Sequence, residues 1–317
     1  MQSNNILEEN ESPNVLILLC TCNGEKFLEE QLISFEEQTY VNWAVIASDD
    51  GSTDNTRTIL EKYKNKWKEN QLTIVEGPRQ GVTKNFMSLI CNKAIEADYY
   101  AFSDQDDIWI PSKLERALNW LQKIRSNTPA LYCSSTLLVD ENNNKTGTSV
   151  INKKAPSFSN ALMQNIASGN TMVLNKAAIE SLCQTGQNIS IVIHDWWAYI
   201  VVTGCGGTVF YDSAPTVRYR QHTANLIGSD DSLHARILRM KKHFQGRLKS
   251  WNEIHIKALA NIEPSLTAEN QKRLADFSKI REYGLLSRLL YVKRSGIYRQ
   301  TFAGNISLLG AVLLKKL

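Results

Sequence analysis

Long apolar runs are scarce in this chain. No stretch reaches the roughly 18 apolar residues that a membrane-spanning helix needs. Residues 1–14 are polar and acidic, with neither a basic start nor an apolar centre, so no signal peptide is read there. Cysteine is present but unpatterned: Cys20, Cys22, Cys91, Cys133, Cys183 and Cys205 show no zinc-finger spacing. Reduced thiols and a cytoplasmic compartment are the expectation. A strong excess of one charge is also lacking. The net charge is +4, from 36 Lys and Arg against 32 Asp and Glu, too little to suggest a nucleic-acid partner. Neither Gly-x-Gly-x-x-Gly nor Gly-x-x-x-x-Gly-Lys-Ser/Thr occurs, which removes the dinucleotide fingerprint and the P-loop. The 317 residues are 43% hydrophobic and 21% charged, enough to build one large domain or one domain with an appendage.

Three apolar runs each pass through a polar turn into a helical pattern. Residues 15–20 (Val-Leu-Ile-Leu-Leu-Cys) read as a strand buried on both faces. Thr21-Cys22-Asn23-Gly24 breaks it, and Phe27, Leu28, Leu32 and Phe35 mark a helix. Such a turn can be a plain connection, or it can offer backbone N–H groups to a phosphate or sugar hydroxyl. Residues 43–47 form the next predicted strand and run into Ser48-Asp49-Asp50-Gly51-Ser52-Thr53-Asp54. Thr53 or Asp54 can cap the following helix, which leaves Asp49 and Asp50 unexplained by capping. Residues 72–75 are a third strand, followed by a helix that opens near Lys84. A cation in the first turn opposes the helix dipole, so Lys84 either faces an anion such as a diphosphate or simply faces solvent. This alternation predicts a doubly wound α/β sheet, which binds ligands beyond the carboxyl ends of its strands.

The centre of the pattern is Ser103-Asp104-Gln105-Asp106-Asp107, directly after the fourth predicted strand at 99–102. Acids this close repel unless a cation joins them, and hard carboxylate oxygens suit Mg²⁺ or Mn²⁺. A helix-capping turn is the plainer alternative. Further strands are read at 131–139, after the glycine turn Ser168-Gly169-Asn170, at 206–211 and at 216–219, with an exposed hairpin tip or loop at 140–148. His194-Asp195-Trp196-Trp197 opens a helix. Asp195 can serve there as a cap, or as a carboxylate raised toward a general-base pKa beside a sugar-stacking indole platform. His222, at the end of the last strand, can complete a carboxylate metal site or be an ordinary surface or core residue. Beyond Ser229 the signal is helical. Leu233, Ile237, Met240, Phe244, Leu248 and Trp251 form an apolar stripe among Lys and Arg, and 285–317 repeats that theme. Such a basic amphipathic region either lies on a membrane surface or packs on the domain before it.

Taken together, Thr21-Cys22-Asn23-Gly24-Glu25, Ser48 to Asp54, Asp104-Gln105-Asp106-Asp107 and His194-Asp195-Trp196-Trp197 resemble the inverting family 2 glycosyltransferases with the GT-A fold, a Rossmann-like, doubly wound mixed sheet. The resemblance covers about residues 13–228. It implies a disordered tail at 1–12, a catalytic domain at 13–228 and a basic helical region at 229–317. The His-Asp-Trp-Trp segment and Tyr219-Arg220-Gln221-His222-x-x-Asn225 look like the bacterial rhamnosyltransferases of surface polysaccharide synthesis.

The resemblance also implies roles. Asp49 takes the pyrimidine imide hydrogen. Thr21, Asn23 and Glu25 line the nucleotide, and Lys84 lies by the base or diphosphate. Asp104 and Gln105 approach the ribose, Asp106 and His222 bind Mg²⁺ or Mn²⁺, and Asp195 is the catalytic base. The acceptor is expected against Gly169, Asn170, Trp196 and Trp197. Cys22 departs from the aromatic residue common at its position, so base stacking from that loop is not expected. The Gln-x-x-Arg-Trp segment of processive synthases is absent, which favours single additions. The expected donor is dTDP-linked rhamnose, then UDP-linked hexoses. The expected acceptor is an oligosaccharide or a polyprenyl-diphosphate-linked one, with the protein either free in the cytoplasm or peripheral on the inner membrane face. A metal-dependent nucleotidyltransferase and a non-catalytic carbohydrate-binding protein are the alternatives.

Overall fold

The computed structural model describes residues 13–222 and 248–317. The tail expected at 1–12 lies outside the described residues, as do Leu233, Ile237, Met240, Phe244 and Asn225. The first half alternates as read: β1 (Val15–Thr21), α1 (Leu28–Glu36), β2 (Trp43–Asp49), α2 (Thr56–Lys66), β3 (Leu72–Glu76), α3 (Val82–Ile90) and β4 (Tyr99–Ser103). Then follow β5 (Ile108–Trp109), α4 (Lys113–Leu121), β6 (Ala130–Val139), β7 (Lys145–Thr148), α5 (Phe158–Ala161), β8 (Val173–Asn175), α6 (Lys176–Cys183), α7 (His194–Gly204) and β9 (Thr208–Arg220). After the undescribed stretch come α8 (Leu248–Ala260), α9 (Ala268–Lys279), α10 (Leu285–Ser295) and α11 (Phe302–Leu313).

The strands form one mixed sheet in the order β3-β2-β1-β4-β8-β6-β9-β5, with β7 paired to β6. The four strands β3, β2, β1 and β4 are parallel, and β8 turns antiparallel against β4. Burial on both faces explains why β1 is apolar from Val15 to Cys20, because successive side chains alternate sides. Val15, Ile17 and Leu19 join Leu28, Leu32, Phe35, Leu114 and Leu118 in one core. Leu16, Leu18 and Cys20 join Phe86, Leu89, Trp197 and Ile200 in the other, and Leu259, Phe277 and Leu308 of the C-terminal helices belong to that same core. The C-terminal region therefore packs on the sheet domain through one face.

One expectation changes. The strands read at 206–211 and 216–219 are a single strand, β9, parallel to β6. Its register slips between Ser134 and Thr136 of β6, opposite a span that contains Pro215. Proline has no N–H to give a ladder, and an irregular step is where a sheet admits it. The loop read at 140–148 includes the short strand β7. All six cysteines are unbridged. Among the described residues no helix is long and apolar enough to cross a membrane.

Candidate active site

Parallel register brings two turns to one edge. Thr21 ends β1 directly beside Asp49, which ends β2. The Thr21 hydroxyl donates to Asp49 Oδ1 at 3.0 Å, and Ser52 donates through its hydroxyl (2.5 Å) and its N–H (3.1 Å) to the same carboxylate. Asn23 sits at φ +51°, a conformation that Asn tolerates better than most side chains. There it accepts from Thr53 N at 2.8 Å and donates its own N–H to Ser52 Oγ at 2.8 Å. Glu25 Oε2 accepts from Asn55 N (3.0 Å) and Nδ2 (2.9 Å). Thr21, Asn23, Glu25 and Asp49 thus come together as one laced pair of loops. Gln105 joins them: its amide donates to Cys22 O at 3.0 Å and accepts from Cys22 N at 2.7 Å. A Cβ at Gly24 would lie 2.4 Å from Gln105 Oε1, so a larger residue there would displace that amide from Cys22.

The acid turn after β4 is arranged differently. Asp106 Oδ2 lies 2.8 Å from His222 Nε2, just past the end of β9. Asp107 is buried and accepts from Asn170 Nδ2 at 2.5 Å and Arg220 N at 3.2 Å. Arg220, also buried, pairs with Glu30 at 2.8 Å, donates to Asp106 O at 3.1 Å and lies over the Phe27 ring. Lys113 is buried in the first turn of α4, donates to Asn170 O at 2.6 Å and sits 3.5 Å from the centre of the Trp109 ring. Burial, followed by the charges of Asp106 and Asp195, pushes Asp104 up to about 7, with Lys113 opposing. Burial, Asp106 and Asp104 push Asp107 well up too, against hydrogen bonds from Asn170 and Arg220.

Asp195 reaches this cluster from the first turn of α7, a helix buried along its whole length. It is 8% exposed. Burial raises its pKa to about 6, and the N–H groups of Trp196 (2.5 Å) and Gly169 (3.1 Å) work the other way. Gly169 must be glycine because a Cβ there would meet His194 at 2.9 Å and Asp195 at 3.2 Å. His194 stacks on Phe86 at 3.9 Å, and burial takes its pKa down to about 3. It is a neutral core ring.

The donor set fits a hard divalent cation. Two ligands each about 2.1 Å from an ion and at right angles stand about 3 Å apart, and Asp106 and His222 stand 2.8 Å apart. Among the described residues no three His, Cys, Asp or Glu side chains converge to enclose an ion. A Mg²⁺-like ion held by one or two side chains takes its remaining ligands from substrate phosphates and water.

The family model described as glycosyl transferase family 2 matches residues 16–182. The chain belongs to that family. It is 32% identical to the dTDP-rhamnosyl transferase RfbG of Shigella flexneri, over 70% of this chain and 78% of the relative. It is 29% identical to the UDP-Glc:alpha-D-GlcNAc-diphosphoundecaprenol beta-1,3-glucosyltransferase WfgD of Escherichia coli, over 52% of this chain and 61% of that one. The fold is similar to that of S. aureus TarS 1–349 in complex with UDP-GlcNAc, with TM-score 0.53, 16% identity, and 90% and 93% of the two chains covered. It is also similar to the mannosyltransferase PcManGT of Pyrobaculum calidifontis in complex with GDP-Man and Mn2+, with TM-score 0.50, 16% identity, and 97% and 89% covered. This glycosyltransferase therefore has the expected GT-A architecture, and the nucleotidyltransferase and non-catalytic alternatives fall away.

Three expected acceptor contacts need correction. Trp196 and Trp197 are 5% and 0% exposed, with indole N–H groups donating to Ala161 O (2.7 Å) and Thr185 Oγ1 (3.2 Å). They are core residues that seat α7, because a helix apolar on every side must be covered on every side. Asn170 is buried and spends its polar atoms on Asp107, Lys113 and Ser168, so it braces the acid turn. Lys84 donates to Ile189 O at 3.0 Å, a partner not foreseen. Lys113 was missed, and Asp107 and Arg220, though inside the motifs, were given no role of their own. The signal for Lys113 was available: it too is a cation in a helix's first turn, the reasoning given to Lys84.

Proposed function

We propose that this glycosyltransferase moves a sugar, first choice L-rhamnose from dTDP-rhamnose, onto a hydroxyl of a growing, lipid-linked surface polysaccharide, with inversion and with a divalent metal. The choice of donor rests on the likeness to RfbG. The lipid-linked acceptor rests on the substrate named for WfgD. The observation that carries the chemistry is the meeting of Asp106 with His222 beside the buried Asp104.

In this reading Asp49 and the loop of Thr21, Asn23 and Glu25 receive the nucleotide base and ribose, with Asp104 on the ribose side. Gln105 positions that loop through Cys22. Lys84 retains donors beyond its Ile189 contact and remains a nucleotide-side cation. A cation held by Asp106 and His222 would neutralise charge on the leaving diphosphate. Asp195 takes the proton from the acceptor hydroxyl as its oxygen attacks the anomeric carbon from the face opposite the diphosphate. The C1–diphosphate bond breaks, its electron pair leaves with the nucleotide, and configuration inverts. A pKa near 6 suits that task, since the carboxylate is ionised at neutral pH yet basic enough to receive a proton.

The test is turnover of dTDP-rhamnose and UDP-glucose with a lipid-diphosphate-linked sugar acceptor, with and without Mn²⁺. Release of dTDP with a new linkage whose anomeric configuration is opposite to that of the donor supports the proposal. Turnover of UDP-glucose alone would replace rhamnose, and retained configuration would remove Asp195 as base.

A further inference from the structure

Helices α10 and α11 carry apolar residues on two faces. The inner face of α11 is Leu308, Ala311 and Val312, all buried in the core shared with the sheet domain. The outer face is Phe302, Ile306, Leu309 and Leu313, at positions i, i+4, i+7 and i+11, all exposed, with Phe302 at 83%. Helix α10 repeats this with exposed Leu286 (84%), Leu289 and Leu290. Arg288, in the first turn of α10, donates to Val312 O and Leu313 O at the end of α11. That contact sets the start of one helix beside the end of the other, so their outer stripes are neighbours. Exposed apolar stripes of this kind on a folded chain mark an interaction face.

Charge borders the face. Lys293 and Arg294 end α10, and Lys315 and Lys316 follow α11. Beside them is a cleft of about 100 Å³ lined by Lys249, Ile280, Arg281, Arg288, Val312, Lys315 and Leu317. Four of these seven residues have cationic side chains and none has an acidic one, and Leu317 O accepts from Arg281 Nε at 2.8 Å. Arg288 Nε and Arg281 Nη2 are buried there without a hydrogen-bond partner among the described residues. Arg288 is 6% exposed as a whole. Burial lowers the pKa of Arg281, and the nearby Glu253 charge only opposes that. Unpaired buried guanidinium N–H groups are costly unless an anion meets them.

We propose that the outer face of α10 and α11 docks this protein on a bilayer surface, with the cleft of Lys249, Arg281, Arg288 and Lys315 receiving the phosphate of an anionic phospholipid. The apolar stripe enters the acyl boundary while the basic groups stay at headgroup level, the arrangement of an interfacial helix. A protein partner would meet the apolar stripe equally well but would leave the unpartnered N–H groups at Arg288 Nε and Arg281 Nη2 without a reason. This inference does not depend on the identity of donor or acceptor.

The experiment is co-sedimentation of the full chain with phosphatidylcholine vesicles, with and without phosphatidylglycerol. Binding should require phosphatidylglycerol and weaken with salt. Leu286→Glu with Phe302→Glu should reduce binding by at least about tenfold, since two exposed apolar anchors are removed. Lys249→Glu with Lys315→Glu should abolish the preference for anionic vesicles. All four positions are exposed, so folding and turnover of a water-soluble acceptor should stay as in the parent. The proposal is overturned if the parent stays in the supernatant with anionic vesicles, or if both double variants bind like it. It is equally overturned if Leu286→Glu with Phe302→Glu merely dissociates a dimer seen by sedimentation velocity without vesicles.

Discussion

Asp49, Asp50 and Asp54 lie in one turn, and Asp104, Asp106 and Asp107 in the next, at the same edge of the same sheet. Their carboxylates meet different partners. In the first turn each acid is engaged by N–H or O–H donors: Asp49 by Thr21 and Ser52, Asp50 by Arg79 N and Gly81 N, Asp54 by Glu25 N and Thr56. In the second turn Asp106 meets His222 and Asp107 meets Asn170 and Arg220 N, but the carboxylates also crowd one another. Asp104 and Asp107 rise above the ordinary carboxylate range through burial and through acid neighbours, as Asp195 does through burial. Hydrogen-bonded acids fix the shape of a loop, whereas crowded acids await a positive charge or a proton. In the proposed reading the first turn is a mould for the nucleotide and the second a place for cation and proton.

That division can be broken by experiment, most sharply at Asp195. Asp195→Asn should lower turnover about a thousandfold, the usual worth of a general base. Donor binding by calorimetry should be nearly unchanged. A loss of binding as large as the loss of turnover would move Asp195 into the mould. Asp106→Asn should weaken Mn²⁺-dependent donor affinity at least about tenfold, and equal affinity with and without Mn²⁺ in the parent would take the cation away from this turn. The pH profile is gentler. The Asp195 carboxylate, raised by burial to about 6, is ionised above that pH and protonated below it. Turnover should therefore fall about tenfold per pH unit below the pKa. A flat profile from pH 7 to pH 5 would place the base elsewhere.

Much of this edge was legible because parallel α/β order needs only apolar runs and polar turns. Val15 to Cys20 and Tyr99 to Phe102 are apolar throughout, and their register places Thr21, Asp49 and Ser103 at one edge. The second half was less legible. Ser134, Thr136 and Pro215 give no hint that β9 continues across a slipped register. Trp196 and Trp197 misled because an indole suits sugar stacking and core packing alike, and only the layers around α7 decide between them. Lys113 and Arg220 were illegible as partners because Lys113 meets Asn170, and Arg220 meets Glu30, only after the chain has closed. Long-range polar pairing leaves no periodic trace in sequence.

Asp54→Ala is the mildest way to sharpen the contrast. Asp54 Oδ1 accepts from Thr56 N at 3.0 Å and from the Thr56 hydroxyl at 2.6 Å, while Oδ2 accepts from Glu25 N at 3.0 Å. The Thr56 hydroxyl in turn accepts from Gly24 N at 2.7 Å, so Asp54 aims the group that anchors the first loop. Asn55, not Asp54, is the N-cap of α2, so removing Asp54 should cost about 1 kcal/mol of stability, as for other lost side-chain hydrogen bonds, and change turnover far less than Asp195→Asn does. Burial pushes the Asp54 pKa up, but the Thr56 and Glu25 hydrogen bonds outweigh it and leave the pKa below the ordinary value. A lowered carboxylate pKa stabilises the folded state above the ordinary pKa, and that contribution is lost as pH falls through the folded value. Urea unfolding of parent and variant should thus differ at pH 7 and converge in acid below the ordinary carboxylate range. A difference that persists there, or turnover falling as far as in Asp195→Asn, would show that the two turns do not divide shape from chemistry.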